Sequence, residues 1–352
     1  MRKIVKLGLS GALGLAAIAG LGGAQRYGAG ARRSTEGGVS NLRHEITPQV
    51  QAAVHRGLQW LVHHQSADGS FGTNGGPYGS TAITSLCGIA FMAGGSLPHQ
   101  GPYATNVSKA LHYVLANCRQ SGLISGNGYG SPMYGHGFST LFLAEVYGED
   151  PTVPIKEKLE KAIRLIIETQ NPQGGWRYQP VPADADLSVT ICEVMALRAA
   201  RDAGINVPKR TINHAISFVR KLQNPDGGFS YMLGNPGSAF PRSAAGLAAL
   251  FYMGIYNGKA IDNAVKYVLH NNPSANAVGM YHFAYGSYYA TQAMFMAGGN
   301  AWAKWWPIIR KQELQRQQPD GSWSGEAGEP YGTAMALIVM QIPDRYLPVL
   351  QR

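Results

Sequence analysis

Four segments of this chain repeat one pattern: glutamine, three residues, glycine, one residue, aromatic. They run from Gln65 to Phe71, Gln170 to Trp176, Gln223 to Phe229 and Gln317 to Trp323. Two degraded copies fill the gaps, at Asn117–Gly122 and near Asn271–Pro273. The spacing gives six units of ~50 residues, in the range where one supersecondary unit stacks on the next. Such repeats share one continuous core, so the 352 residues read as a single repeat domain and not as two globular ones.

Each pattern lies between two kinds of apolar segment. Upstream helices are expected over Pro48–His64, Ala104–Ala116, Ile155–Thr169, Lys209–Leu222, Ala260–His270 and Ala301–Arg316. In these, apolar residues recur every three or four positions with charges between, as in Ile155, Leu159, Ile163 and Ile166. Downstream helices are expected over Ala82–Met92, Ser139–Val146, Leu187–Ala199, Ala244–Tyr256, Tyr288–Met296 and Thr333–Met340. These are nearly uncharged and rich in Ala, Ser, Thr, Leu and Met, as helices buried on several sides are. The fold expected is all-α: six outer amphipathic helices paired with six inner apolar ones, closed into an α/α6 toroid over residues 48–352. The Pro and Gly of each turn stop the first helix, and the Gln and aromatic pin the turn to its neighbour.

These segments resemble the QW repeats of squalene-hopene and oxidosqualene cyclases and the repeat of protein prenyltransferase β-subunits. The resemblance covers about Gln49 to Met340 and implies the terpenoid cyclase/prenyltransferase toroid. A full squalene cyclase has two such domains, so the resemblance here is to a one-domain relative.

At the N-terminus, Arg2, Lys3 and Lys6 precede a small-residue apolar run from Leu7 to Gly23. That is the n-region and h-region of a secretory signal, with small-x-small sites after Ala24 or Ala31. Residues 1–31 are read as a signal peptide or an uncleaved anchor, and residues 32–47 as a linker. An exported, periplasmic or envelope location follows, where lipids, glycans and other exported proteins are the available ligands. Net charge is +10, three charges of it before the first cleavage site at Ala24, and the rest suits anionic lipid heads or acidic polymers. There is no basic-aromatic nucleic-acid motif. Cys87, Cys118 and Cys192 form no CxxC pair, and each sits in an apolar stretch as a small buried side chain. A Cys87–Cys118 bridge would need an oxidising compartment.

The inner-helix N-termini face one end of the ring, so polar residues there are the candidate site. Asp184-Ala-Asp186-Leu-Ser188 opens the third inner helix. A carboxyl facing an apolar cavity has a raised pKa and suits a general acid; the alternative is a helix cap. Asp184 and Asp186 resemble the first two acidic positions of the DxDD motif of squalene-hopene cyclases, with Leu187 in the next place. The resemblance implies Asp186 as proton donor and Asp184 as its electrostatic partner. His136-Gly-Phe-Ser-Thr140 resembles the HGGYTF segment of prenyltransferase β-subunits, whose His contacts diphosphate. The zinc ligands of that family do not follow, because Asp186 stands in the Cys place and Phe240–Ser243 holds no His. No metal and no cofactor is expected. Arg242 either binds an anion at the rim or pairs with Asp184 or Asp186. His282 opens the fifth inner helix. Tyr134, Tyr281, Tyr285, Tyr288 and Tyr289 line an apolar cavity, stack sugars or fill core. Glu326 and Glu329 favour the N-terminus of the last inner helix.

Three functions fit this reading. The first is a terpene cyclase-like or prenyltransferase-like protein acting on or binding an isoprenoid or other apolar lipid, with Asp186 and Asp184 catalytic. Substrate contacts would come from His136, Arg242, Tyr134, His282 and Tyr285, with a membrane surface as a further partner. The second is a non-catalytic exported toroid binding a lipid or protein. The third is a glycan lyase or hydrolase on a helical toroid.

Overall fold

The computed structural model describes residues 45–72, 79–126, 131–273 and 282–350. The expected leader, most of the linker and Tyr281 lie outside the described residues. Among the described residues, twelve α-helices alternate outer and inner. The outer set is α1 (Pro48–His64), α3 (Ala104–Ala116), α5 (Lys156–Glu168), α7 (Lys209–Lys221), α9 (Lys259–His270) and α11 (Gly299–Arg316). The inner set is α2 (Thr81–Ala93), α4 (Pro132–Glu149), α6 (Leu187–Asp202), α8 (Phe240–Tyr252), α10 (Phe283–Ala297) and α12 (Glu329–Gln341). Two short 3-10 turns follow, Ile342–Asp344 and Pro348–Leu350.

The two sets bury themselves as their patterns require. Helix α5 buries only Leu159, Ala162, Ile163 and Ile166, and its wet face carries the ion pairs Lys156–Glu160 and Lys161–Glu157. Along α6, every residue from Leu187 to Ala200 is buried except Ser188 and Arg198. Each inner helix packs on the next: α2 on α4, α4 on α6, α6 on α8, α8 on α10, α10 on α12, and α12 back on α2. The ring of inner helices is closed.

The repeat pattern is the device that closes it. In each intact copy the Gln amide donates to its own turn glycine and to a carbonyl early in the next outer helix. Gln65 reaches Gly69 and Asn106, Gln170 reaches Gly174 and Thr211, and Gln223 reaches Gly227 and Ala260, all at 2.8–3.2 Å. Gln317 makes the same clamp to Gly321 and, across the seam, to Ala53 of α1. The aromatic residue's N–H donates to a hydroxyl of the following inner helix: Phe71 to Thr84, Trp176 to Thr190, Phe229 to Ser243, Trp323 to Thr333. The turn glycine has no substitute. Gly174 has φ +103, and a Cβ there would lie 2.2 Å from the His214 carbonyl oxygen.

Several inner helices start earlier than expected. Helix α4 begins at Pro132 rather than Ser139, α8 at Phe240 and α10 at Phe283. Proline in the first turn costs no hydrogen bond, so Pro132, Pro241 and Pro330 open helices instead of ending them. Helix α8 also stops at Tyr252, before Gly254 with φ +89. The three cysteines are free, Cys87 and Cys192 buried and Cys118 half-buried. Among the described residues no helix is long and apolar enough to cross a membrane.

Candidate functional site

The N-termini of α4, α6, α8 and α10 surround a pocket of about 440 Å³. Tyr134 of α4, Ser188 of α6, Arg242 of α8, and His282 and Tyr285 at the start of α10 line it. The remaining wall is Tyr178 and Tyr231, from the loops that join the repeat turns to α6 and α8, with Ala239 and Pro241. Four of the five residues expected to contact substrate are therefore here: Tyr134, Arg242, His282 and Tyr285. Burial raises the pKa of Tyr134, Tyr231 and Tyr285, so all three keep their phenolic protons.

His136 is elsewhere, and the expected anion contact is corrected. It is fully buried in α4; its Nδ1 accepts from the Ile124 N–H at 3.1 Å and its Nε2 donates to the Ala162 carbonyl at 3.1 Å. In the degraded second repeat it takes the place of the hydroxyl that receives the aromatic's N–H in the intact copies. Burial lowers its pKa to about 4, so the ring is neutral.

Asp186 sits behind the pocket wall. Its backbone pairs with Trp176, and its Oδ1 accepts from the Val189 N–H at 2.9 Å, the N-cap of α6. Its side chain is fully buried, and Oδ2 has no hydrogen-bond partner. The Arg177 Nε lies 3.5 Å from Oδ2, and the Tyr231 hydroxyl, bonded to that of Tyr178, is close enough to favour the charged form. Desolvation outweighs both and raises the Asp186 pKa. Asp184 is exposed and pairs with Arg177. Arg177 thus ties the two acids together and does what Arg242 was the alternative for. Arg242 instead donates to the backbone carbonyls of Phe229 and Gly237, at 3.1 and 3.0 Å.

His282 holds a left-handed backbone, φ +59, and its Nδ1 is 3.8 Å from Glu326. Glu326 also accepts from the Tyr285 N–H of α10 at 3.1 Å and from the Tyr331 hydroxyl in the first turn of α12 at 3.4 Å, so it bridges the two helix starts. Glu329 does stand in the first turn of α12. Tyr288 and Tyr289 are core, fully buried beneath the pocket against Phe138 and Tyr285. Glu193, two turns deeper on α6, is a second buried acid raised by desolvation; it lies against Gly137 and does not line the pocket. Among the described residues no three His, Cys, Asp or Glu side chains gather as a metal site. Sequence reasoning missed Arg177, Tyr178 and Tyr231. The signal for the first two was adjacency, since they follow Trp176 of the repeat directly.

Residues 136–284 match the model of the prenyltransferase alpha-alpha toroid domain. Drimenyl diphosphate synthase of Streptomyces showdoensis is 23% identical over 203 residues, covering 57% of this chain and 36% of that enzyme. The match thus spans about a third of that relative's length. Among solved structures, the type II terpene cyclase MstE from Scytonema superposes with a TM-score of 0.60 at 13% identity, over 86% of this chain and 100% of that one. An α-1,6-mannanase from Salegentibacter superposes with a TM-score of 0.61 at 8% identity, over 83% and 98%. At such identities the structural likenesses establish architecture alone, and glycosidases share it. The chain is an α/α toroid resembling type II terpene cyclases and the prenyltransferase toroid domain.

Proposed function

We propose that this toroid binds an isoprenoid, or a similarly branched apolar ligand, in the rim pocket and acts on it by acid chemistry from Asp186. One observation carries the reading: a tyrosine-walled pocket stands in front of a buried aspartate, one of whose oxygens has no close hydrogen bond and only Arg177 at 3.5 Å and the Tyr231 hydroxyl nearby. Tyrosine rings give an apolar surface whose π faces suit a developing cation. Arg242 and His282 supply polarity for a head group. Asp186 does not line the pocket, so its proton passes through the Tyr231 hydroxyl, which does. Tyr231 gives its proton to an alkene carbon while taking one from Asp186; the π pair forms the new C–H bond and a carbocation remains. Loss of a proton from a neighbouring carbon then restores neutrality, and the proton returns to Asp186. Arg177 steadies the carboxylate in between. The solved structure of a terpene cyclase neighbour with geranylgeranyl dihydroxybenzoate supports the ligand class by analogy of fold.

The test is mass spectrometry of organic extracts from the purified protein and from Asp184→Asn/Asp186→Asn protein, with farnesol and geranylgeraniol added to parallel samples. A stoichiometric isoprenoid whose chemical form changes in the variant is the expected result. The same unaltered lipid in both proteins would leave binding and remove catalysis. No retained lipid, native or added, in either protein would refute the reading.

A further inference from the structure

The outer wall of the ring is electrostatically lopsided. Helix α5 balances its cations with acids and pairs two of them. Helix α7 carries Lys209, Arg210, Arg220 and Lys221 and no acid at all. The basic character continues around the ring through Lys266 of α9, Lys304 of α11 and Arg56 of α1, each exposed. Among the described residues none of these seven side chains makes an ion pair.

The cations also sit in grooves. Arg220 and Lys221 border one of about 490 Å³ with Asn213 and Ser217. Lys266 and Lys304 border one of about 770 Å³ with Tyr267, Asn271 and the carboxylate of Asp226. Arg56, whose guanidinium also donates to Gln317, borders a third of about 610 Å³ with His55, His63, Gln59 and Asp320. In the first two grooves cations outnumber acids and stand beside neutral hydrogen-bonding groups.

We infer that the wall formed by α7, α9, α11 and α1 is a binding track for a flexible, hydroxyl-rich polyanion, an acidic polysaccharide. Unpaired cations arranged in succession attract a chain of negative charges and release its counterions. Shape selects among polyanions. The four helices are consecutive on the convex outside of a closed ring, so a flat bilayer reaches only part of them. Duplex DNA is stiff over ~150 base pairs and cannot follow such a wall without a large bending cost. The grooves hold no fully exposed aromatic platform of the kind that stacks single-stranded bases. A sugar chain bends, and its hydroxyls match Asn213, Ser217, Asn271 and Gln59 as its carboxylates match the cations. This track is independent of the rim pocket.

The experiment is titration of the full chain with polygalacturonate, duplex DNA and phosphatidylglycerol vesicles over a range of salt. A quadruple variant, Arg220→Gln/Lys221→Gln/Lys266→Gln/Lys304→Gln, is run beside it. All four side chains are exposed, so circular dichroism and the melting temperature should be unchanged. Polygalacturonate is expected to bind most tightly, and the variant to bind at least tenfold more weakly at low salt. Its log K against log salt slope should be shallower by about 3, four contacts at ~0.7 each as for a flexible strand. No polygalacturonate binding at low salt, an unchanged variant, or tighter binding to DNA or vesicles would overturn the inference.

Discussion

If the ring is closed in solution, the clamp at its seam must hold as firmly as a clamp in its middle. Gln317 and Gln170 make the same pair of bonds: Gln317 to Ala53 and Gly321 at 2.9 and 3.0 Å, Gln170 to Thr211 and Gly174 at 2.9 Å each. Two differences remain: the sequence separation, 264 residues from Gln317 to Ala53 against 41 from Gln170 to Thr211, and an exposed Arg56 side chain that also donates to the Gln317 Oε1. Replacing either glutamine by alanine removes the two clamp bonds at about 1 kcal/mol each, and the exposed Arg56 bond adds little. The helix carbonyls keep their intrahelical partners, and the turn-glycine carbonyl loses its donor in both variants alike. The expected loss is about 2 kcal/mol for each variant, or about 4 °C in a chain of this size. Differential scanning calorimetry and urea unfolding of the two variants side by side measure it. In an open solenoid the terminal units fray, and the seam clamp contributes little. A Gln317→Ala variant within about 0.5 kcal/mol of wild type, beside a Gln170→Ala variant that loses about 2 kcal/mol, would refute the closed ring.

Asp186→Asn should retain the N-cap and remove a buried carboxyl whose folded pKa is raised. The wild type holds that proton's stabilisation only below the unfolded pKa and loses it as pH rises. Urea unfolding should therefore find the variant more stable at pH 7 and the two nearly equal at pH 3, and Asp186→Ala lower by about 1 kcal/mol than Asp186→Asn at both. His136 has the opposite sign: its pKa falls from 6.5 to about 4 on folding, so its stabilisation is full above pH 6.5 and lost as pH falls toward 4. That component is about 3 kcal/mol, and the pH dependence of unfolding should be flatter in His136→Gln by that amount. Gly174→Ala should cost more than 3 kcal/mol, because positive φ and a carbonyl 2.2 Å from the new Cβ both oppose it; soluble expression and melting temperature report it.

The ring was legible because its determinants are local and periodic. Gln170, Gly174 and Trp176 each bond or pack at a fixed place in the unit, so four copies in one sequence disclose the device. The rim was partly legible. Tyr134, Arg242, His282 and Tyr285 stand within three residues of an inner-helix start, and helix geometry carries them to one end. Tyr231 and Arg177 stand in aperiodic loops, where neither spacing nor moment marks a residue that turns inward. His136 misled because a family motif was laid over the degraded second repeat without aligning that repeat on the intact ones. Aligned on the aromatic position, Ile124 corresponds to Phe71 and Trp176, and His136 then falls beside Thr84 and Thr190 as a structural acceptor. The sequence pattern places the starts of α4 and α8 late, because Pro132 and Pro241, which open them, carry no apolar periodicity.

The spacings within the unit divide the molecule by tolerance to change. From each glutamine to its turn carbonyl the separation is always 4 residues. From the aromatic to its hydroxyl it varies, 13, 14, 14 and 10 residues in the intact copies. Between the glutamine and the hydroxyl, length varies in the second stretch alone, and Tyr178 and Tyr231 of the pocket wall come from it. A lineage carrying this fold can therefore retune what enters the rim by lengthening one loop, while the scaffold that holds the loop in place is inherited unaltered.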